Sequence, residues 1–146
     1  MDRMNLVRRL FDAIEASDIE ALAALYADDV VQLEFPNQLL PRGATRDKAA
    51  ILQAAARGKA LIASQTLSMQ HVVESGDTVA VEAEWVATLA VDAPPLGLRA
   101  GAGMRARFAQ FLTFKGDRVV RHATYDCFEP WREEPRDADS RFGAER

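Results

Sequence analysis

The chain has 146 residues, 49% hydrophobic and 27% charged, with a formal net charge of -4. That length fits one domain with a real core. The acidic balance argues against a nucleic-acid partner, and no apolar run approaches the roughly 20 residues that span a membrane.

Val7, Leu10, Phe11 and Ile14 recur at helical spacing, which predicts an amphipathic helix over residues 3 to 16. The first residues, Met1 to Arg9, hold no signal-peptide apolar core, so a cytoplasmic location is expected. Ser17-Asp18-Ile19-Glu20 reads as a capping box that opens a second helix, with Ile19, Leu22, Ala23 and Tyr26 inward and Asp28-Asp29 at its end. Val31, Leu33 and Phe35 alternate with Gln32 and Glu34 in a short strand stopped by Pro36. The first three are the more apolar set and are expected inside, leaving Glu34 toward solvent. Residues 36 to 44 read as a loop. Thr45 is placed to cap a third helix, about 46 to 62, whose apolar side is Ile51, Leu52, Ala55 and Ile62.

From Ser64 the period becomes two. Leu67, Met69, His71 and Val73 are expected to share one strand face, and Ser75-Gly76-Asp77 is a turn. Thr78 to Val91 reads as a long strand with Val79, Val81, Ala83, Trp85, Ala87 and Leu89 on one side. Asp92 to Gly103 holds two prolines and three glycines and reads as a connection. A hairpin follows: Met104 to Lys115, the turn Gly116-Asp117, and Arg118 to Phe128. Met104, Ala106, Phe108, Gln110, Leu112 and Phe114 form its inner face on the first strand. On the second strand periodicity alone does not choose a face. More than half of the residues after Trp131 are charged, which predicts a mobile tail over 132–146 behind a single domain over 1–131.

The order of three helices around one strand, then four antiparallel strands, predicts an α+β domain with helices on one face of a curved sheet. Its chemistry-bearing groups concentrate on the hairpin. His122, Thr124 and Asp126 share a strand face, with His122 and Asp126 roughly 13 Å apart at Cα, placed to bracket a substrate. A carboxyl group in an apolar cavity has a raised pKa and can serve as acid or base. Tyr26, Phe11, Trp85 and Phe108 can form an aromatic wall, and Gln110 sits among apolar neighbours. His71, His122 and Cys127 lack ligand spacing, so no metal is expected. A lone Cys127 excludes an intrachain disulfide, which also suits the cytoplasm.

The stretches Val7-Arg-Arg through Leu25-Tyr-Ala-Asp-Asp29, Glu34-Phe-Pro36, the Gly43 turn and Tyr125-Asp-Cys-Phe-Glu-Pro-Trp131 resemble the SnoaL-like branch of the nuclear transport factor 2 / ketosteroid isomerase superfamily. The resemblance covers about residues 4 to 131. It implies a cone-shaped fold, with three N-terminal helices packed on a curved, mainly antiparallel sheet that encloses a pocket, and it puts 122, 124 and 126 on the pocket face. The isomerase machinery does not carry over intact. Its hydrogen-bonding tyrosine falls at Leu10, its protonated aspartate at Gln110, and its base at Glu34 or Phe35 depending on the anchor. Loss of one such donor costs about 100- to 1,000-fold in rate, so steroid isomerisation itself is not the expected activity.

Together these readings imply a protein for a small apolar organic ligand, either a cofactor-free isomerase, cyclase, dehydratase or hydrolase or a non-catalytic binding or interaction module of the same fold. Asp126 and His122 are the catalytic candidates. Tyr26, Phe35, Trp85, Phe108, Gln110 and Thr124 are the substrate-binding candidates. Arg105, Arg107, Phe111, Arg121 and Tyr125 lie on the opposite sheet face and imply a homodimer through it.

Overall fold

A computed structural model describes residues 2–131; the predicted charged tail lies outside them. The elements run α1 (Arg3–Ala16), α2 (Ile19–Leu25), β1 (Tyr26–Glu34), β2 (Ala44–Arg46), α3 (Lys48–Leu61), β3 (Ile62–Ser75), β4 (Thr78–Leu89), a 3-10 turn (Pro94–Leu96), β5 (Gly103–Lys115) and β6 (Arg118–Phe128). The sheet has six strands in the order β2-β1-β6-β5-β4-β3. All neighbours are antiparallel except β1 and β6, which are parallel. This is the expected α+β arrangement, and no helix among the described residues is long and apolar enough to cross a membrane.

The helix ends show how local chemistry sets the chain path. Asp2 caps α1 by accepting from the Asn5 amide at 2.9 Å. Ser17 closes α1 in the left-handed region, at φ 52, where the Asp18 amide reaches back to the Ala13 carbonyl at 2.9 Å. Ser17 therefore does not cap α2, against expectation. Its backbone belongs to the end of α1, and Asp18 caps instead, accepting from Ala21 N at 3.1 Å. Nor does α2 run on to Asp28-Asp29. It stops at Leu25, and Tyr26 already opens β1. Thr45 does not cap α3 either, because it pairs with Leu33 in β2. The cap is Asp47, accepting from Ala50 N at 2.9 Å.

The core gathers Val7, Leu10 and Phe11 of α1 with Val79, Val81, Leu112 and Val119 of the sheet. Burying such a side chain is worth roughly 1.5–3 kcal/mol, so this contact anchors the helices to the sheet. The inner faces expected for β4 and β5 are the ones observed, with only Trp85 and Phe108 partly open.

Register shifts in two strands change the faces that simple alternation gives. In β3 the register shifts between Met69 and His71, so Leu67 and Met69 are followed on the core side by Val72. His71 and Val73 turn outward, and His71 pairs with Glu82 at 2.8 Å. In β6 the register shifts where Thr113 and Phe114 meet it. Phe114 faces Val119 while Leu112 faces His122, so Val120 is the extra residue. One inserted residue explains why alternation along β6 did not reveal a face.

Candidate functional site

A cavity of about 420 Å³ lies between the helices and the inner face of the sheet. Most of its wall is apolar, with Ile14, Leu22, Ile51, Trp85, Phe108 and Phe128 among the lining residues. Trp85, Phe108 and Phe128 contact one another, with ring centroids 6.0 to 6.3 Å apart. Trp85 is oriented by its indole N–H, which donates to Gln65 Oε1 at 2.8 Å. Such a wall holds an organic body without fixing its polar groups.

The polar part comes from neighbouring strands in register. Gln32 and Glu34 of β1 lie beside His122 and Thr124 of β6, and Gln110 and Phe108 of β5 lie beside Thr124 and Asp126. Paired residues on adjacent strands point to the same side, so these groups meet on one wall with Arg46 and Tyr26.

Two hydrogen-bonded groups form there. In the first, Tyr26 Oη lies 2.8 Å from His122 Nδ1, and His122 Nε2 lies 2.7 Å from Gln110 Oε1. Burial lowers the His122 pKa to about 4, so the ring is neutral at ordinary pH. Burial also holds the Tyr26 phenol well above its usual range. In the second group, the Thr124 hydroxyl donates to Asp126 Oδ1 at 2.5 Å. Arg46 donates to Glu34 Oε1 at 3.0 Å and to Gln32 Oε1 at 2.9 Å. Asn37 Nδ2 donates to the other Glu34 oxygen at 2.9 Å.

Asp126 is the perturbed carboxyl. Burial raises its pKa to about 6, the Thr124 hydrogen bond pulls it back, the Glu34 charge adds to the rise and Arg46 opposes it. A group with that pKa is mostly ionised at pH 7 and close enough to it to exchange a proton with a substrate.

Asp126, His122, Tyr26, Trp85, Phe108, Gln110 and Thr124 all line the cavity. Phe35 does not. It stacks on Tyr125 at 4.5 Å on the far side of the sheet. The parallel pairing with β6 turned the more polar set of β1 inward, because a cavity wall accepts polar groups that a filled core would exclude. For the same reason Glu34 lines the cavity, against its expected solvent position. Phe11 is plain core, 3% exposed. His122 has both ring nitrogens engaged within the wall, so neither is free to take a proton from a ligand directly. Sequence reasoning missed Gln32 and Arg46. The available signal was the Gln32-x-Glu34 pair, which shares a strand face. Arg46 carried no signal, because its place depends on β2 folding back onto β1.

Residues 7–122 match the SnoaL-like domain. Among solved structures, the chain is similar to IdmH, a candidate polyketide cyclase from Streptomyces antibioticus (23% identity, 86% of this chain and 92% of that one, TM-score 0.73). It is also similar to AclR, a candidate hydroxylase from Streptomyces galilaeus (17%, 99% and 97%, TM-score 0.73). A third is an M. tuberculosis LEH-like epoxide hydrolase (12%, 86% and 80%, TM-score 0.66). At these identities the likeness concerns the fold. No curated protein matches the sequence.

Proposed function

The chain belongs to the SnoaL-like domain family, and from that premise we propose that it binds a small, mostly apolar organic molecule and transfers a proton on it without a cofactor, with Asp126 as the base. The observation that carries this reading is a partly buried carboxyl, its pKa raised to about 6, on the wall of an apolar cavity. Isomerisation, cyclisation, dehydration and hydrolysis all use such a step, and the relatives' names span several of these chemistries. The aromatic side of the cavity holds the substrate body, Thr124 orients the Asp126 carboxylate, and the proton leaves the substrate for the free carboxylate oxygen. Removing a general base costs about 100- to 10,000-fold.

The test is proton exchange on a simple ketone. 2-Acetylnaphthalene in deuterated buffer exchanges its methyl protons, and NMR follows their loss. Wild type is expected to accelerate exchange over buffer, and Asp126→Asn to remove the acceleration. A wild type that binds the ketone without accelerating exchange refutes the catalytic reading. It favours the second one, a binding protein of the same fold, for which the internal satisfaction of both His122 nitrogens already speaks.

We further propose that two copies pair through the outer sheet face, in the cytoplasm. Phe111 is 40% and Tyr125 46% exposed there, in edge-to-face contact at 6.0 Å. The arginines beside them are partnered, Arg105 with Glu84 at 3.2 Å and Arg107 with Glu129 at 3.2 Å. An aromatic centre with a satisfied polar rim is the composition of a partner surface.

A further inference from the structure

The charges on the cavity wall do not balance. Tyr26, Glu34, Arg46, His122 and Asp126 are the titratable or charged side chains that line it among the described residues. Burial keeps Tyr26 and His122 uncharged at neutral pH. The Arg46 guanidinium is committed to Glu34 at 3.0 Å, with the two side chains 17% and 12% exposed. That leaves the Asp126 carboxylate as the charge without a counter-ion. Its Oδ1 accepts from Thr124, and Oδ2 has no hydrogen-bond partner among the described residues. Of the two neighbouring charges, Glu34 acts on Asp126 more strongly than Arg46 does, so the field at this carboxylate is that of an anion.

The groups around Asp126 suit a cation. Phe108 is its direct partner on β5, which puts the two Cβ atoms about 5 Å apart. Phe128 follows two residues later on the same face of β6. Its ring stands nearly perpendicular to those of Trp85 and Phe108, at 90° and 72°. Aromatic rings attract a cation that lies within about 6 Å of a ring centroid. A ligand that fills the cavity also takes water from Asp126. A neutral ligand leaves the buried charge uncompensated, an anion adds repulsion, and an ammonium replaces the lost water with an ion pair.

We propose that the cavity binds hydrophobic amines as ammonium ions, the N–H donated to Asp126 Oδ2 and the nitrogen packed beside Phe108 and Phe128, so that the site prefers a cation to its neutral isostere and rejects the anionic one. The inference rests on the ligand-binding reading given above and adds the charge of the ligand. Where Asp126 serves as a base, such an amine occupies its oxygen and competes with the substrate.

The test uses three probes of one shape, 1-(2-naphthyl)ethylamine, 2-isopropylnaphthalene and 2-(2-naphthyl)propanoate, titrated into the protein by calorimetry. At pH 7.5 wild type should bind the amine about tenfold tighter than the hydrocarbon, and the carboxylate should bind weakest. In Asp126→Asn the amine should fall to the level of the hydrocarbon. A second measurement needs no variant. From pH 7.5 to 5 the amine should weaken about fivefold on wild type as Asp126 takes up a proton, while the hydrocarbon does not weaken. The amine stays charged over this range, and His122 titrates below it. Equal binding of amine and hydrocarbon overturns the proposal. So does a carboxylate that binds tighter than the amine, an amine preference that survives in Asp126→Asn, or an amine affinity that does not change with pH. A hydrocarbon that binds without the amine overturns this proposal alone, whereas failure of all three probes to bind overturns the ligand-binding reading with it.

Discussion

His122 and Asp126 lie on one face of β6, and burial moves their pKa values in opposite directions, His122 down to about 4 and Asp126 up to about 6. Both shifts disfavour the charged form. Their consequences for stability are opposite. Between pH 6.5 and 4 the unfolded chain binds a proton at His122 that the fold refuses, so stability falls with acid. Between pH 6 and 3.8 the fold holds a proton at Asp126 that the unfolded chain releases, so stability rises with acid. Over pH 4 to 6 the two terms offset each other.

The first prediction follows from that offset. Asp126→Asn keeps the shape of the side chain and removes only its titration. The variant should be as stable as wild type or more so at pH 7.5. It should then lose stability steeply from pH 6.5 to 4, with a slope approaching about 1.4 kcal/mol per pH unit, where wild type is flatter. Urea melts across that range decide it. A variant clearly weaker than wild type at pH 7.5 would mark Asp126 as a structural partner.

The junction of α1 and α2 gives a second prediction. Asp18→Ala removes the cap of α2 and should cost about 1 kcal/mol. Ser17→Gly relieves a left-handed backbone at φ 52 and should gain a few tenths of a kcal/mol to about 1 kcal/mol. Denaturant melts giving the opposite order would show that Ser17 is the cap after all.

A third prediction concerns Gly43. Its φ is +67, and an added Cβ would lie 2.4 Å from the Glu34 carbonyl oxygen. Gly43→Ala should therefore cost more than about 1 kcal/mol. Because Glu34 and Arg46 flank this turn, the Asp126 pKa should move as well, which carbon-detected NMR of the carboxyls reads. An unchanged melt would mean that β1 and β2 separate without penalty.

The fourth prediction tests pairing of two copies. Phe111→Glu puts a charge at the centre of the outer face, beside Tyr125, without touching the cavity lining. Light scattering should find wild type dimeric at micromolar concentration and the variant monomeric, with similar far-ultraviolet circular dichroism. A monomeric wild type rules out this interface.

Much of the fold was legible in the sequence because burial there is decided locally. The alternating residues of β4 and of β5 reported their inner faces directly, since one side of each packs on a filled core. The first helix was equally plain, from Val7, Leu10 and Phe11. The cavity reversed that logic on β1. There the inner face is the polar one, so the rule that sent Phe35 inward and Glu34 outward gave both residues the wrong side.

Local pattern along the chain was enough for the α+β order, the central hairpin and the alignment of His122, Thr124 and Asp126 along one strand. The tertiary structure decided what those residues meet. The bulge at Val120 set the face of β6, the parallel pairing of β1 with β6 brought Gln32 and Glu34 beside His122 and Thr124, and the short β2 carried Arg46 to them. Strand periodicity encodes which side chains share a face, but register between strands distant in the chain is settled only when they pair. That pairing places Arg46 against Gln32 and Glu34 and puts the Glu34 charge within reach of Asp126.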